Sequence, residues 1–97
     1  MYAIAILRYR RPIEEVQAVT ESHRTYLRRL QEGGVLLVSG PLDPRFGGAL
    51  LLRVPDQGAL AALDRIRDAD PYVQAGVAQY ELLPWAPGLG KEKLDAL

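Results

Sequence analysis

Cysteine is absent from the 97 residues, which removes disulfides, thiol chemistry and thiolate metal centres together. Histidine occurs once, so the three or four ligands of a zinc site cannot be assembled. Net charge is missing as well: 12 Lys plus Arg balance 12 Asp plus Glu. A neutral domain of pI near 6.6 has no global counterion-release term, which argues against nucleic acid as the main partner. No run approaches the roughly 18 apolar residues of a membrane helix. The opening MYAIAILRYRR puts its apolar run before its basic cluster, the reverse of a secretory leader. No Gly-x-x-x-x-Gly-Lys loop is present, and Ser39 is not in a Gly-x-Ser-x-Gly elbow, so no nucleotide cofactor is expected. The expectation is a cytoplasmic, cofactor-free chain without a membrane partner.

What is present is an ordinary globular mixture, 48% hydrophobic and 25% charged, of one-domain length. Tyr2–Tyr9 is a short apolar run with β-branched and aromatic members, a strand. Pro12 opens a helix over about Ile13–Gln31, with Val16, Val19, Tyr26, Leu27 and Leu30 at three- and four-residue steps. Gly33-Gly34 closes it. Val35–Ser39 is a second strand ended by Gly40-Pro41, and Leu42–Gly47 a short loop with Arg45 and Phe46 at its tip. Ala49–Val54 is a third strand. Asp56 offers an N-cap for a second helix over Gln57–Arg67. Asp70-Pro71 starts a tight turn, and Val77–Leu83 is a fourth strand stopped by Pro84 and Pro87. The order β-α-β-β-α-β predicts an α+β, ferredoxin-like fold: one four-stranded antiparallel sheet with two helices on one face. Residues 1–85 form the domain, and 86–97 read as a C-terminal extension.

A sheet covered on one face should alternate apolar and polar residues. The first strand does not: Tyr2, Ile4 and Ile6 alternate with Ala3, Ala5 and Leu7. The third, Ala49-Leu50-Leu51-Leu52, is apolar on both sides too. A second copy of the chain is the simplest cover, so a homodimer with sheets face to face is expected. The competing cover is the C-terminal tail.

His23 falls within the apolar stripe of its helix, while Arg24, Arg28 and Arg29 are expected to point elsewhere. It reads either as a core histidine with local hydrogen bonds or as a pocket acid–base group that needs a partner to fix its tautomer. Asp70 likewise reads as an N-cap, with Pro71 in the first helical position, or as that partner. Ser39, Arg8 and Tyr72 are weaker candidates: a hydroxyl donor, a charge for an anionic substrate, and a ring to stack on a substrate.

Three motifs sharpen this. They are His23-Arg24-Thr25-Tyr26-Leu27-Arg28-Arg29-Leu30, Ser39-Gly40-Pro41, and Asp70-Pro71-Tyr72-Val73-Gln74-Ala75-Gly76-Val77. On these the chain resembles the YCII-related domain family over about residues 1–85. The resemblance implies a dimeric α/β barrel with a cleft and an active-site pair at His23 and Asp70. One member group of that family catalyses dehydrochlorination of a chlorinated hydroxyhydroquinone. The expected function is cofactor-independent acid–base catalysis, such as elimination or isomerisation, on a small cyclic or phenolic molecule. The alternative is a non-enzymatic dimeric module that binds a small organic molecule.

Overall fold

The computed structural model describes residues 1–97. Its elements run β1 (Tyr2–Tyr9), α1 (Ile13–Gln17), α2 (Thr20–Glu32), β2 (Leu36–Pro41), β3 (Gly47–Arg53), α3 (Ala59–Ala69), α4 (Pro71–Gln74), β4 (Ala78–Trp85) and α5 (Lys91–Asp95). The four strands form one antiparallel sheet in the order β2-β3-β1-β4. This is the α+β, ferredoxin-like arrangement expected from the residue pattern.

Strand parity explains the core. Ala3, Ala5 and Leu7 of β1 and Leu50 and Leu52 of β3 are buried, and they join Leu27 of α2 with Leu63 and Ile66 of α3 in one apolar cluster. The opposite parity, Ile4, Ile6 and Leu51, is only half-buried, and Val38, Leu83 and Trp85 beside it are 59%, 42% and 41% exposed. The helices therefore cover one face and leave an apolar one. At Gly47 the backbone of β3 passes so close to β1 that a Cβ would lie 1.9 Å from the Leu7 carbonyl oxygen, so only glycine fits.

Several boundaries differ from the sequence expectation. The helix expected over Ile13–Gln31 breaks at Ala18-Val19, where Val19 takes φ −110° and ψ −4°. Thr20 donates its hydroxyl proton to the Val16 carbonyl at 3.0 Å. Adjacent β-branched residues and this back-bond favour a bend over a continuous helix. The restart turns Thr20, His23 and Leu27 inward together. Asp56 does not cap α3. Gly58 makes the entry turn at φ 73°, and Asp56 pairs with the Met1 ammonium at 2.6 Å instead. Pro41 and Pro84 lie inside β2 and β4, not beyond them. Both are edge strands, where a missing N–H can point away from the single neighbour.

Residues 86–97 include α5, which is tied to one end of the uncovered face. The Tyr2 hydroxyl donates to Asp95 Oδ1 at 2.6 Å, and Arg53 donates to the Leu94 and Leu97 carbonyl oxygens at 3.3 and 2.7 Å. No helix is long and apolar enough to cross a membrane.

Candidate active site

The site is built at the junction of α3 and α4. Asp70 ends the first and caps the second, with extended φ −70° and ψ 126° that halt helical propagation. Pro71 follows at the first position of α4, where its lost N–H costs nothing. Asp70 Oδ1 accepts the Tyr72 N–H at 2.9 Å, a local N-cap. The same oxygen faces His23 Nδ1 at 2.8 Å. The cap contact and the His23 contact thus meet at one oxygen. Oδ2 accepts the Tyr80 hydroxyl. The carboxylate is 0% exposed and fully provided with donors, the condition under which a buried charge is tolerated.

A carboxylate oxygen at Nδ1 requires a proton there, which leaves Nε2 as the acceptor of the neutral ring. Nε2 has no hydrogen-bond partner, and no buried side-chain nitrogen or oxygen lacks one, so Nε2 is the nitrogen open to the cleft. Tyr72 fixes the ring plane. Its phenol stacks on the imidazole with centroids 3.9 Å apart and 11° between planes, and it meets Tyr9 edge-on at 6.0 Å. The Tyr72 hydroxyl lies 2.8 Å from Thr20 Oγ1. Since Thr20 uses its one proton on Val16, Tyr72 is the donor.

The buried charge sets the state of the phenols around it. Burial first, then the Asp70 charge and hydrogen bond, hold the Tyr80 hydroxyl far above the ordinary tyrosine range. Tyr80 is therefore a permanent donor. Burial and, secondly, Asp70 also raise Tyr26, whose hydroxyl donates to the Ile66 carbonyl at 2.7 Å. Burial raises Tyr72 as well.

Above this network lies a cleft of about 290 Å³. Leu7, Leu27 and Leu50 contribute its apolar wall; Thr20, His23, Ser39, Tyr9 and Tyr72 contribute polar atoms; Arg24 and Arg45 add positive charge. Gly40, Pro41, Gly47 and Gly48 close the side next to the β2–β3 loop. No group of three or more His, Asp or Glu side chains is placed to hold a metal ion.

Of the residues expected from sequence, His23, Ser39 and Tyr72 line the cleft, and Asp70 lies directly behind His23. Arg8 does not line this cleft. Its strand parity puts it on the uncovered sheet face with Ile4 and Ile6, where it pairs with exposed Glu81 at 3.5 Å. Tyr72 is 3% exposed, and it stacks on His23, so it positions the imidazole and offers a ligand little surface. Arg24, expected to point away, reaches the cleft edge, next along α2 to His23. Sequence reasoning missed Tyr80 and Tyr9 and did not assign a role to Arg45. Only Thr20, three residues before His23 on one helix, carried a readable spacing signal.

The family model of the YCII-related domain matches residues 2–86. The chain belongs to the YCII-related domain family. Among solved structures, this YCII-related chain is similar to 5-chloro-2-hydroxyhydroquinone dehydrochlorinase from Burkholderia phenoliruptrix in complex with 2,5-dihydroxybenzoquinone. The TM-score is 0.74 at 19% identity, covering 91% of this chain and 96% of that one. A likeness at that identity speaks to the fold. No curated protein sequence matches the chain.

Proposed function

We propose that this YCII-related chain is a cofactor-independent acid–base enzyme acting on a small cyclic or phenolic molecule. The observation that carries the reading is the His23 Nδ1–Asp70 Oδ1 contact of 2.8 Å, with Nε2 open to the cleft. In this reading Nε2 takes a proton from the substrate. The electron pair so released forms a new π bond. In an elimination the leaving group departs with its own bonding pair; in an isomerisation the imidazolium returns the proton at another atom. Asp70 stabilises the imidazolium and keeps the proton of the resting ring on Nδ1. Ser39 is assigned as a hydroxyl donor to the bound molecule. The dehydrochlorinase of the same fold, bound to a dihydroxybenzoquinone, supports the choice of elimination and of a quinol-like ring.

The same proposal includes a homodimer, with residues 1–85 as the domain and 86–97 as an extension. The apolar face bearing Ile4, Leu51 and exposed Val38, Leu83 and Trp85 supports it. Sedimentation equilibrium at micromolar concentration is expected to give two chain masses; one chain mass would refute the dimer. A cysteine-free composition accords with a reducing cytoplasm, the compartment assigned here.

Turnover is tested on chlorinated hydroxyhydroquinones and related phenols, followed by chloride release and absorbance. His23→Gln is expected to lower the rate by about 10²–10⁴-fold while circular dichroism stays unchanged. If 2,5-dihydroxybenzoquinone and its relatives bind, and no substrate is turned over, the chain is a binding module and the enzymatic reading is lost.

A further inference from the structure

We infer that Arg45 is the specificity-determining residue of the cleft and selects ligands carrying an anionic oxygen, a phenolate or a carboxylate, on a single ring. This deepens the acid–base reading and rests on it for the position of the ring over His23.

The chain is neutral, yet its cleft is not. Two arginines reach the cavity, and no aspartate or glutamate lines it. Asp70, behind His23, is 0% exposed and engaged by three donors. Arg24 is partly neutralised by Glu21 at 3.5 Å. Arg45 has no carboxylate within ion-pair distance; its one side-chain partner is the Tyr9 hydroxyl, to which Nε donates at 3.3 Å. A neutral acceptor fixes the guanidinium without cancelling its charge. The two terminal nitrogens stay free, and they match a planar oxyanion in a bidentate fork.

Position is fixed by the aromatic row. Arg45 rests on Tyr9, Tyr9 meets Tyr72 edge-on, and Tyr72 stacks on His23. Cation and imidazole are thus two ends of one wall. A volume of 290 Å³ sits at the small end of ligand cavities, which suits one ring. An anionic oxygen held at Arg45 leaves the rest of that ring toward Nε2.

Calorimetric titration with two probes tests this: 2,5-dihydroxybenzoquinone, ionised at neutral pH, and hydroquinone, neutral there. The parent is expected to bind the anion more tightly, with affinity falling as salt rises. Arg45→Gln is expected to weaken the anion by about 10- to 100-fold, leave hydroquinone unchanged and reduce the salt dependence. Arg45→Lys should recover part of the loss, because charge returns without the planar fork. Equal losses for both probes, no loss for either, or a parent that binds neither would overturn the inference. His23→Gln separates the two readings. If it retains anion preference but no variant or parent shows turnover, the acid–base reading fails and the Arg45 assignment stands. Turnover with identical Arg45→Gln kinetics on charged and neutral substrates has the opposite meaning.

Discussion

Asp70 and Asp95 each accept a tyrosine hydroxyl and face a basic side chain. Asp70 takes Tyr80 and His23; Asp95 takes Tyr2 at 2.6 Å and Lys91 at 2.8 Å. The partners are alike and the surroundings are not. Asp70 is 0% exposed, whereas the Asp95 and Lys91 side chains are 48% and 52% exposed. Water competes for every bond of the second trio and screens its charges. In the first, each donor that is lost leaves an acceptor with nothing in its place. Equal chemistry therefore gives a rigid cluster at the cleft and a weak clasp at the tail.

That contrast can be broken most severely at Asp70. Asp70→Ala removes the acceptor of three donors and the cap of α4, and should cost about 3–5 kcal/mol in urea unfolding, the scale for breaking a buried pair. A loss near that of a surface pair would mean the cluster is not cooperative. Tyr80→Phe comes next. It strips Oδ2 of its donor and should cost about 1–3 kcal/mol.

Alkaline titration sharpens the same point. Tyr80, Tyr26 and Tyr72 are all held above the ordinary tyrosine value by burial. Their contribution is complete below about pH 10, where the unfolded phenols are neutral too. It is lost as pH rises beyond that, because the unfolded chain ionises and the folded one resists. Tyr80→Phe should flatten this alkaline decline in unfolding midpoints, and an unchanged slope would remove Tyr80 from the account. The smallest effect is expected at the tail. Asp95→Asn should leave the denaturation midpoint indistinguishable from the parent at physiological salt, since exposed pairs contribute little. Asp95 is held low chiefly by its hydrogen bond with Lys91, then by Tyr2. Whatever it adds is present at neutral pH and fades as pH falls below the carboxylate range.

The strands were legible because their signal is periodic and local: apolar runs of the right length between glycine and proline punctuation. The uncovered face was legible for the same reason. Alternation in Tyr2–Leu7 showed that both sides of β1 are apolar. The same parity would have put Arg8 with Ile4 and Ile6, away from the helices, had it been applied to the site. Val19-Thr20 concealed the helix break, since propensity changes little there and the cause is one hydroxyl finding a carbonyl. Asp70 is instructive in another way. Cap and partner are not alternatives for a carboxylate, which has two oxygens and several lone pairs. Its link with His23, 47 residues away, came from the family motif, not from spacing. Tyr80 and Arg45 had no motif, because only the folded sheet brings the one to Asp70 and only the folded loop brings the other to the cleft.

The stacked pair has one more implication. An imidazole fixed by Tyr72 on its face and Asp70 at its edge gives up its torsional freedom when the chain folds. A molecule entering the cleft finds Nε2 already aimed, so encounter need not freeze that ring. Heat capacity and entropy of ligand binding should then report on the guest and the displaced water, with the histidine contributing almost nothing.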